Sequence, residues 1–244
     1  MNKELYIDIF NELFEKNGLG KPEKNLASRF FELGELLSAA NKIHNLTAIK
    51  EDEEVILKHF IDSLLISHKL PTGAKTVDVG CGAGFPSLPL AIYRPDISLM
   101  GIDSTTKKIN YVNNTAKALN LTNIEAISAR AEDLAHKKHR ESFDVATARA
   151  VASLPVLTEL CLPFVKVGGL FIAMKSLSAA EELASARSAI EKCGGELSEV
   201  IELSLKHRLE TSKDEQRTLI IIKKIKKTPD IYPRIYSKIT KKPL

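Results

Sequence analysis

The sequence predicts an α/β fold with a doubly wound, mainly parallel sheet of seven strands. Three observations predict it. Short β-branched apolar runs alternate with helical periodicity between residues 76 and 223, a glycine-rich corner follows the first run, and Asp103 closes the second. The 244 residues suffice for one large α/β domain with an appendage. We expect an N-terminal helical cap at 1–70, a core domain at 71–224 and a basic C-terminal tail at 225–244.

Residues 3–43 predict two N-terminal helices. Apolar residues recur three or four positions apart in two stretches, which are separated by a break at Gly18 and Gly20 before Pro22 restarts the pattern. We expect these helices to cap one edge of the sheet, because their apolar faces need cover. The alternative is that those faces form a surface for a partner.

The stretch KHFIDS, residues 58–63, combines three side chain types that are found in hydrolytic sites. On a helix, His59 and Asp62 share a face, and Ser63 joins His59 one turn further on. Geometry argues against a hydrolase, because a nucleophile and a base on one helix lack a separate orienting element and oxyanion donors. We expect a hydrogen-bonding cluster that braces the glycine corner.

The glycine corner is the stretch TVDVGCGAGFPSLPL, in which a buried strand turns directly into a helix. Gly80, Gly82 and Gly84 permit left-handed backbone angles and leave room for a ligand. Pro86 suits the first helical position, where free amides would face that ligand. Asp103 follows Gly80 by 23 positions, as expected for a carboxylate that accepts from ribose hydroxyls, so the pattern predicts an adenosine-containing ligand. A turn that serves packing alone is the alternative.

Strand and helix patterns alternate along the rest of the chain. Predicted strands lie at 76–79, 97–102, 124–128, 143–147, 170–174, 196–203 and 218–223, and predicted helices at 86–93, 105–119, 154–166 and 178–193. This alternation requires right-handed crossovers, and ligands of such sheets bind at the carboxyl ends of the strands.

Cysteine and histidine usage predicts neither a metal site nor a disulfide framework. Cys81, Cys161 and Cys193 lie far apart without a C-x-x-C pair, which fits a reducing cytosol. His136 and His139 have metal-like spacing, but the basic residues around them would repel a cation, so we expect a solvated loop. We expect neither a secretion signal nor a membrane span, and hence a cytoplasmic protein without membrane contact.

Charge is unevenly distributed along the chain. Residues 223–244 hold eight Lys or Arg against one Asp, a net charge of +7, while the whole chain carries +4. Such a basic arm is typical of contact with a phosphate backbone, and Tyr232 and Tyr236 within it can stack on unpaired bases. The alternative is a disordered tail that only aids solubility. We expect a monomer, because no repeated apolar stripe is left over.

Several strings in one order resemble a known family. They are NLTAI at 45–49, KHFIDSL at 58–64, DVGCGAGFPSLPLAI at 78–92, GIDSTTKK at 101–108, SARAED at 128–133, ATARAVASL at 146–154 and AMKS at 173–176. Together they are similar to the bacterial small-subunit ribosomal RNA guanine-N7 methyltransferases, the glucose-inhibited division protein B family. One departure is Ser87, where members of that family usually carry glycine.

The resemblance implies a class I, Rossmann-like methyltransferase that uses S-adenosylmethionine and acts on small-subunit ribosomal RNA or a 30S particle. It also implies a set of cofactor-binding residues. These are Gly80, Gly82 and Phe85 near methionine and ribose, Asp103 with Ser104 at the ribose diol, Ala131 and Glu132 at adenine, and Arg149 at the cofactor or the target base.

The role of Arg149 has three alternatives. Its guanidinium fork can grip the methionine carboxylate or a guanine O6, or it can pair with Asp144 or Glu132 as scaffold. The resemblance also leaves room for a substrate contact by Lys58 or His59. No catalytic acid or base is expected, because guanine N7 already carries a free lone pair.

Two further functions stay open at this point. The first is a methyltransferase that acts on a protein or a small metabolite, for which the basic tail would be incidental. The second is a non-catalytic RNA-binding assembly protein that kept the fold. Binding of S-adenosylmethionine separates the second of these from both methyltransferases.

Overall fold

The sheet that the sequence predicts is present in the computed structural model, which describes residues 1–149, 152–176, 179–209 and 211–244. Its strands within those residues are β1 (Lys75–Val79), β2 (Ser98–Asp103), β3 (Ile124–Ser128), β4 (Phe143–Arg149), β5 (Val165–Lys175), β6 (Gly195–Leu205) and β7 (Glu215–Lys224). Their order is β3-β2-β1-β4-β5-β7-β6. The strands from β3 to β5 are parallel, and β7 lies antiparallel between β5 and β6. The predicted doubly wound, mainly parallel fold is confirmed.

Several strands extend beyond their predicted bounds, and one extension places a site residue. β4 continues to Arg149, which stands opposite Met174 in the parallel pairing with β5. Arg149 therefore ends this strand, whereas the sequence predicted that it follows the strand. β5 begins at Val165, which pairs with Phe143 across an irregularity in register. The predicted start at residue 170 missed this pairing because Gly168, with φ of +93°, interrupts the apolar run.

Helices cover both faces of the sheet. In chain order the described helices are α1 (Lys3–Lys16), α2 (Leu26–His44), α3 (Asp52–Val55), α4 (Asp62–Leu64), α5 (Ser87–Tyr93), α6 (Thr106–Ala118), α7 (Ala131–Ala135), α8 (Leu154–Cys161), α9 (Ala179–Lys192) and α10 (Tyr236–Lys241). A π-helical turn spans Ile56–Ile61, and 3-10 turns span Ser67–Lys69 and Leu162–Phe164. α8 ends earlier than predicted because Pro163 has no N–H to continue the helix. The predicted start of α9 at residue 178 lies outside the described residues.

The two N-terminal helices pack over one face of the sheet. The Phe10 ring on α1 stacks on the Phe30 ring on α2 with centroids 4.7 Å apart, and both side chains are fully buried. Phe14 packs edge-on against Tyr93 of α5. Phe30 also contacts Phe60 of the π turn, with the two rings tilted by 49°. The two predicted helices are confirmed. They join the apolar core on the face that α5 and α6 cover, and Asn17 at the end of α1 bonds to Lys206 next to the edge strand β6. A cap at one edge of the sheet stays a prediction.

The C-terminal segment, residues 225–244, packs against the body of the protein. Arg234 forms an ion pair with the fully buried Glu159 of α8, and the side chain of Ile239 on α10 is also fully buried. Tyr232, which we expected to be available to RNA bases, packs against the apolar core on the other face of the sheet. The alternative of a disordered tail is therefore wrong.

His139 is buried, which corrects the prediction of a solvated loop. Its side chain is 7% exposed and stacks near Phe143, while His136 stays exposed with Nε2 2.7 Å from the carbonyl oxygen of Pro233. Burial, aided by Lys138, lowers the pKa of His139. In the described ranges no three His, Cys, Asp or Glu are grouped to hold a metal ion. None of the helices described there is long and apolar enough to cross a membrane.

Candidate active site

The glycine corner joins β1 to α5 through three residues with left-handed backbone angles. Gly80, Gly82 and Gly84 have φ of +77°, +55° and +85°, which glycine adopts without the steric cost of a side chain. A Cβ built on Gly82 meets no atom nearer than 4.0 Å, so Gly82 faces open space. A Cβ on Gly84 would lie 2.6 Å from Cδ1 of Leu88, so Gly84 allows α5 to pack closely. The corner therefore serves both as an open cradle and as a packing contact.

Backbone amides of the corner are engaged within the protein, which corrects the prediction that free amides face a ligand. The N–H groups of Gly84 and Phe85 both donate to the carbonyl of Cys81. Pro86 precedes α5 instead of occupying its first position, since the helix begins at Ser87. Recognition at this corner therefore rests mainly on side chains and on the shape of the cradle.

Asp103 ties the end of β2 to the glycine corner. Its Oδ2 accepts the N–H of Gly82 at 3.1 Å, and its Oδ1 accepts the N–H of Thr105 at 2.8 Å. An ionised carboxylate has about four acceptor positions, so about two remain for the hydroxyl groups of a ligand. The sequence prediction that Asp103 can accept from a ribose diol is compatible with this geometry.

Beneath the corner, Asp78 and Ser87 form a buried pair that the sequence did not predict. The hydroxyl of Ser87 donates to Oδ2 of Asp78 at 2.5 Å, and both side chains are fully buried. The other oxygen, Oδ1, has no hydrogen-bond partner among the described residues. Burial raises the pKa of Asp78 to about 6, against the opposing effect of the Ser87 hydrogen bond. An unpaired buried carboxylate oxygen is costly, and a cationic or hydrogen-bonding ligand would satisfy it.

A small cavity of about 120 Å³ opens at the carboxyl ends of β1, β2 and β3. It brings together five of the eight predicted cofactor residues, which are Gly80, Asp103, Ser104, Ala131 and Glu132. The rest of its lining consists of Val79, Ile102, Ala129, Arg130, Leu160 and Tyr236. Tyr236 comes from the C-terminal segment, and no local sequence pattern linked it to this site.

A second, charged cavity of about 370 Å³ lies at the carboxyl ends of β4 and β5. The residues that line it are Ile49, Lys58, His59, Asp62, Leu65, Arg149, Met174, Lys175, Ser176, Glu182, Glu215, Arg217 and Leu219. Arg149 thus faces this charged cavity and is absent from the small one. Of the other three predicted residues, Arg149 lines the charged cavity, whereas Gly82 and Phe85 line neither cavity.

Phe85 connects the glycine corner to the charged cavity, because it contacts two residues that line that cavity. The His59 ring stacks on it with centroids 4.5 Å apart and an interplanar angle of 6°, and the Arg149 guanidinium lies 5.5 Å from its centroid. Nε2 of His59 lies 2.7 Å from Oγ1 of Thr47, and the hydroxyl of Ser63 donates to the His59 carbonyl. The predicted cluster that braces the corner is confirmed. The π turn in which His59 lies was not predicted, and such turns are frequent at functional sites.

Arg149 is held by a chain of ion pairs that runs through the charged cavity. Its Nη1 donates to Oδ2 of Asp62 at 3.1 Å, so its scaffold partner is Asp62 and not Asp144 or Glu132. Asp62 accepts in turn from Nε of Arg217 at 2.9 Å, and Arg217 also binds Glu215. The chain continues through Lys58 to Glu54. Sequence reasoning missed Arg217 and Glu215, which reach the site only through the pairing of β7 with β5.

Ionisation in the charged cavity follows from burial and from these partners. Burial and the neighbouring Arg149 lower the pKa of His59 to about 4, so its ring is neutral at pH 7. Burial opposes ionisation of Glu215, but hydrogen bonds from Lys58 and Arg217 outweigh it and lower the pKa of Glu215 to about 2. Burial also lowers the pKa of Arg149, which stays a cation at pH 7.

The sheet, the glycine corner and the acidic end of β2 together define a class I S-adenosylmethionine-dependent methyltransferase fold. Solved structures share this fold. TYW2 of M. jannaschii, solved in complex with AdoMet, has a TM-score of 0.56 and 16% identity over 73% of this chain and 80% of its own. The [4+2]-cyclase SpnF also has a TM-score of 0.56 and 16% identity, over 82% of this chain and 95% of its own. The fold alone therefore does not define the reaction.

The chain belongs to the GidB family, described as rRNA small subunit methyltransferase G, whose family model matches residues 26–211. The protein named ribosomal RNA small subunit methyltransferase G from Clostridium tetani is 42% identical over 242 residues, which are 98% of this chain and 99% of its own. The protein of the same name from Lachnoclostridium phytofermentans is 48% identical over 213 residues, or 86% of each chain. The resemblance found in the sequence is confirmed.

Proposed function

We propose that this protein transfers a methyl group from S-adenosylmethionine to N7 of a guanine in small-subunit ribosomal RNA. Family membership supports the class of reaction and the class of RNA. The observation that carries the proposal is a pair of cavities at the carboxyl ends of the strands, one at β1 to β3 and the other at β4 and β5. One is lined by groups suited to an adenosine, and the other by groups suited to a polar base.

The small cavity and the corner fit the cofactor. Asp103 retains acceptor positions for ribose hydroxyls, and Gly82 faces open space that a side chain would fill. The Oδ1 atom of Asp78 is buried and has no partner among the residues that the structure describes, which suits a ligand ammonium group. We assign Gly80, Gly82, Asp103, Ser104, Ala131 and Glu132 to cofactor binding, and Phe85 to the boundary between cofactor and base. When bound, the cofactor supplies a methyl group that is activated by the positive charge on sulfur.

The charged cavity fits the base that receives the methyl group. Arg149 lies over Phe85 and is oriented by Asp62, so its fork is held ready for an acceptor such as guanine O6. Because Arg149 lines this cavity and not the small one, we propose that it contacts the base and not the cofactor. Lys58 and His59 line the same cavity and complete its polar wall.

Catalysis in this arrangement rests on alignment and needs no general base. Guanine N7 carries a free lone pair, so no proton must leave before attack on the methyl carbon. Holding the reacting atoms roughly 3 Å apart and in line can supply several kcal/mol. His59 is neutral and its Nε2 is engaged with Thr47, which fits a role as a rigid wall beside Phe85.

Ribosomal RNA from cells that lack the gene tests this proposal. We expect N7-methylguanosine to disappear from digested small-subunit RNA and to return with the wild-type gene but not with the Asp103→Ala variant. Mass spectrometry of the nucleosides measures it. Unchanged N7-methylguanosine without the gene would refute the proposed reaction. We further propose that the protein acts in the cytoplasm and that it is a monomer. Sedimentation of the purified chain measures the oligomeric state.

A further inference from the structure

Tyr236 lines the small cavity together with Asp103, although 133 positions separate the two residues in the sequence. Its side chain is 36% exposed. The guanidinium of Arg130 lies over the Tyr236 ring, 5.6 Å from the ring centroid. Arg130 directly precedes Ala131 and Glu132 at the end of β3. Tyr236 is therefore close to the part of the cavity wall that we assign to adenine.

The C-terminal segment is fixed at this position by buried contacts on both sides of Tyr236. Two residues earlier, the backbone N–H and Nε of Arg234 both donate to Oε1 of Glu159 at 2.8 Å, and Nη2 donates to Oε2 at 2.6 Å. Glu159 is fully buried beside Leu160, which also lines the cavity. Three residues after Tyr236, the side chain of Ile239 is fully buried. These buried contacts on both sides fix the backbone at Tyr236, so its ring has a defined position at the cavity.

We propose that Tyr236 is a cofactor-binding residue whose ring closes the small cavity against the adenine of S-adenosylmethionine. The inference rests on the proposed function and extends it, because it makes the C-terminal segment part of the cofactor site. An aromatic ring is suited to this wall, since it offers a flat apolar face to a purine. Arg130 on the ring adds a cation–π contact that holds the ring in place.

Tryptophan fluorescence tests the proposal directly, because the chain contains no Trp. A Tyr236→Trp variant carries a single tryptophan in the cavity wall, and we expect its emission to change on saturation with S-adenosylhomocysteine and also with adenosine. The matched control is Ile235→Trp at the adjacent exposed position, which does not line the cavity. We expect no change of emission there. Equal responses of the two variants, or none from Tyr236→Trp, would overturn the proposal.

Calorimetry provides the second measurement. We expect Tyr236→Ala to bind S-adenosylhomocysteine and adenosine about tenfold more weakly, and Tyr236→Phe to bind both as the wild type does. Thermal unfolding of each variant shows whether it is folded, and Tyr236→Leu replaces the alanine variant if that one is not. Wild-type affinity in folded Tyr236→Ala would overturn the proposal while leaving the proposed function intact. Failure of the wild type to bind S-adenosylhomocysteine would instead refute the proposed function.

Discussion

Gly82 and Gly84 have different roles although both have positive φ. We expect Gly84→Ala to lower the free energy of unfolding by about 1–3 kcal/mol, because its Cβ would clash with Leu88 in a conformation that disfavours side chains. Gly82→Ala adds a methyl group to open space, so we expect a smaller loss of stability and weaker binding of S-adenosylhomocysteine. Urea unfolding and calorimetry measure the two effects. Similar effects of both substitutions on both quantities would contradict this assignment.

Asp103 combines a structural and a binding role at one carboxylate. We expect Asp103→Ala to weaken binding of S-adenosylhomocysteine by about 1–3 kcal/mol, because the ribose hydroxyls lose a charged acceptor and Gly82 loses its partner. Calorimetry measures this loss. Asp96→Ala is the control, since that carboxylate also accepts a backbone N–H but lies outside both cavities. An unchanged dissociation constant for Asp103→Ala would refute the ribose assignment.

His59 makes stability depend on pH. Its pKa is lowered from 6.5 to about 4 in the folded protein, so the unfolded chain binds the proton more tightly. Stability from neutral His59 is present above about pH 6.5 and is lost as the pH falls towards 4, by about 3 kcal/mol. Asp78 acts with the opposite sign, because its raised pKa favours the folded state in acid. A comparison of wild type with His59→Gln between pH 7 and 4.5 therefore isolates His59.

The expected outcome of that comparison is a stability difference that shrinks with acid. His59→Gln loses the ring stack on Phe85 at every pH, but it is spared the proton uptake that destabilises the wild type. Urea unfolding at each pH measures the difference. A difference that stays constant over this range would show that His59 is not held neutral by the fold.

At the scale of elements, the sequence predicted strands such as β1, β4 and β7 because buried strands are continuous apolar runs. The mostly exposed β6 was predicted from a less regular apolar pattern. Glycine spacing and the acidic end of β2 are local signals that pointed to Gly80 and Asp103, and the family resemblance added Ser104, Ala131 and Glu132. Tyr236, Arg217 and the pairing of Asp78 with Ser87 were missed. These contacts depend on how distant elements pack, and no local periodicity reports that packing. The π turn at His59 was missed because its sequence has ordinary helical character.

The contact between α8 and the C-terminal segment depends on one buried ion pair. Arg234→Met leaves the carboxylate of Glu159, which is fully buried, without its charged partner. We expect a loss of about 3–5 kcal/mol in the free energy of unfolding. Lys69→Met is the control, because its pair with Glu199 is on the surface and should contribute about 0–1 kcal/mol. Denaturant unfolding measures both, and equal losses would contradict the assigned importance of burial.

For the whole molecule, the basic character of the C-terminal segment and its packed structure must be tested separately. Deletion of residues 228–244 would remove Arg234 and Ile239, so lost RNA binding could reflect lost packing. Substitution of exposed lysines on α10 avoids this problem. Lys238 and Lys241 are exposed and contribute charge without belonging to the buried contacts.

We expect the double substitution Lys238→Gln with Lys241→Gln to weaken binding of small-subunit RNA while leaving affinity for S-adenosylhomocysteine unchanged. Each lost phosphate contact reduces the slope of log affinity against log salt by about 0.7, so the slope should become shallower by about 1 to 2. Titrations at several salt concentrations measure it. The control changes Lys21 and Lys24, which are equally exposed in the loop between α1 and α2. If both double variants keep the wild-type slope, the C-terminal lysines do not contact RNA, and the segment serves only the fold and the cofactor site.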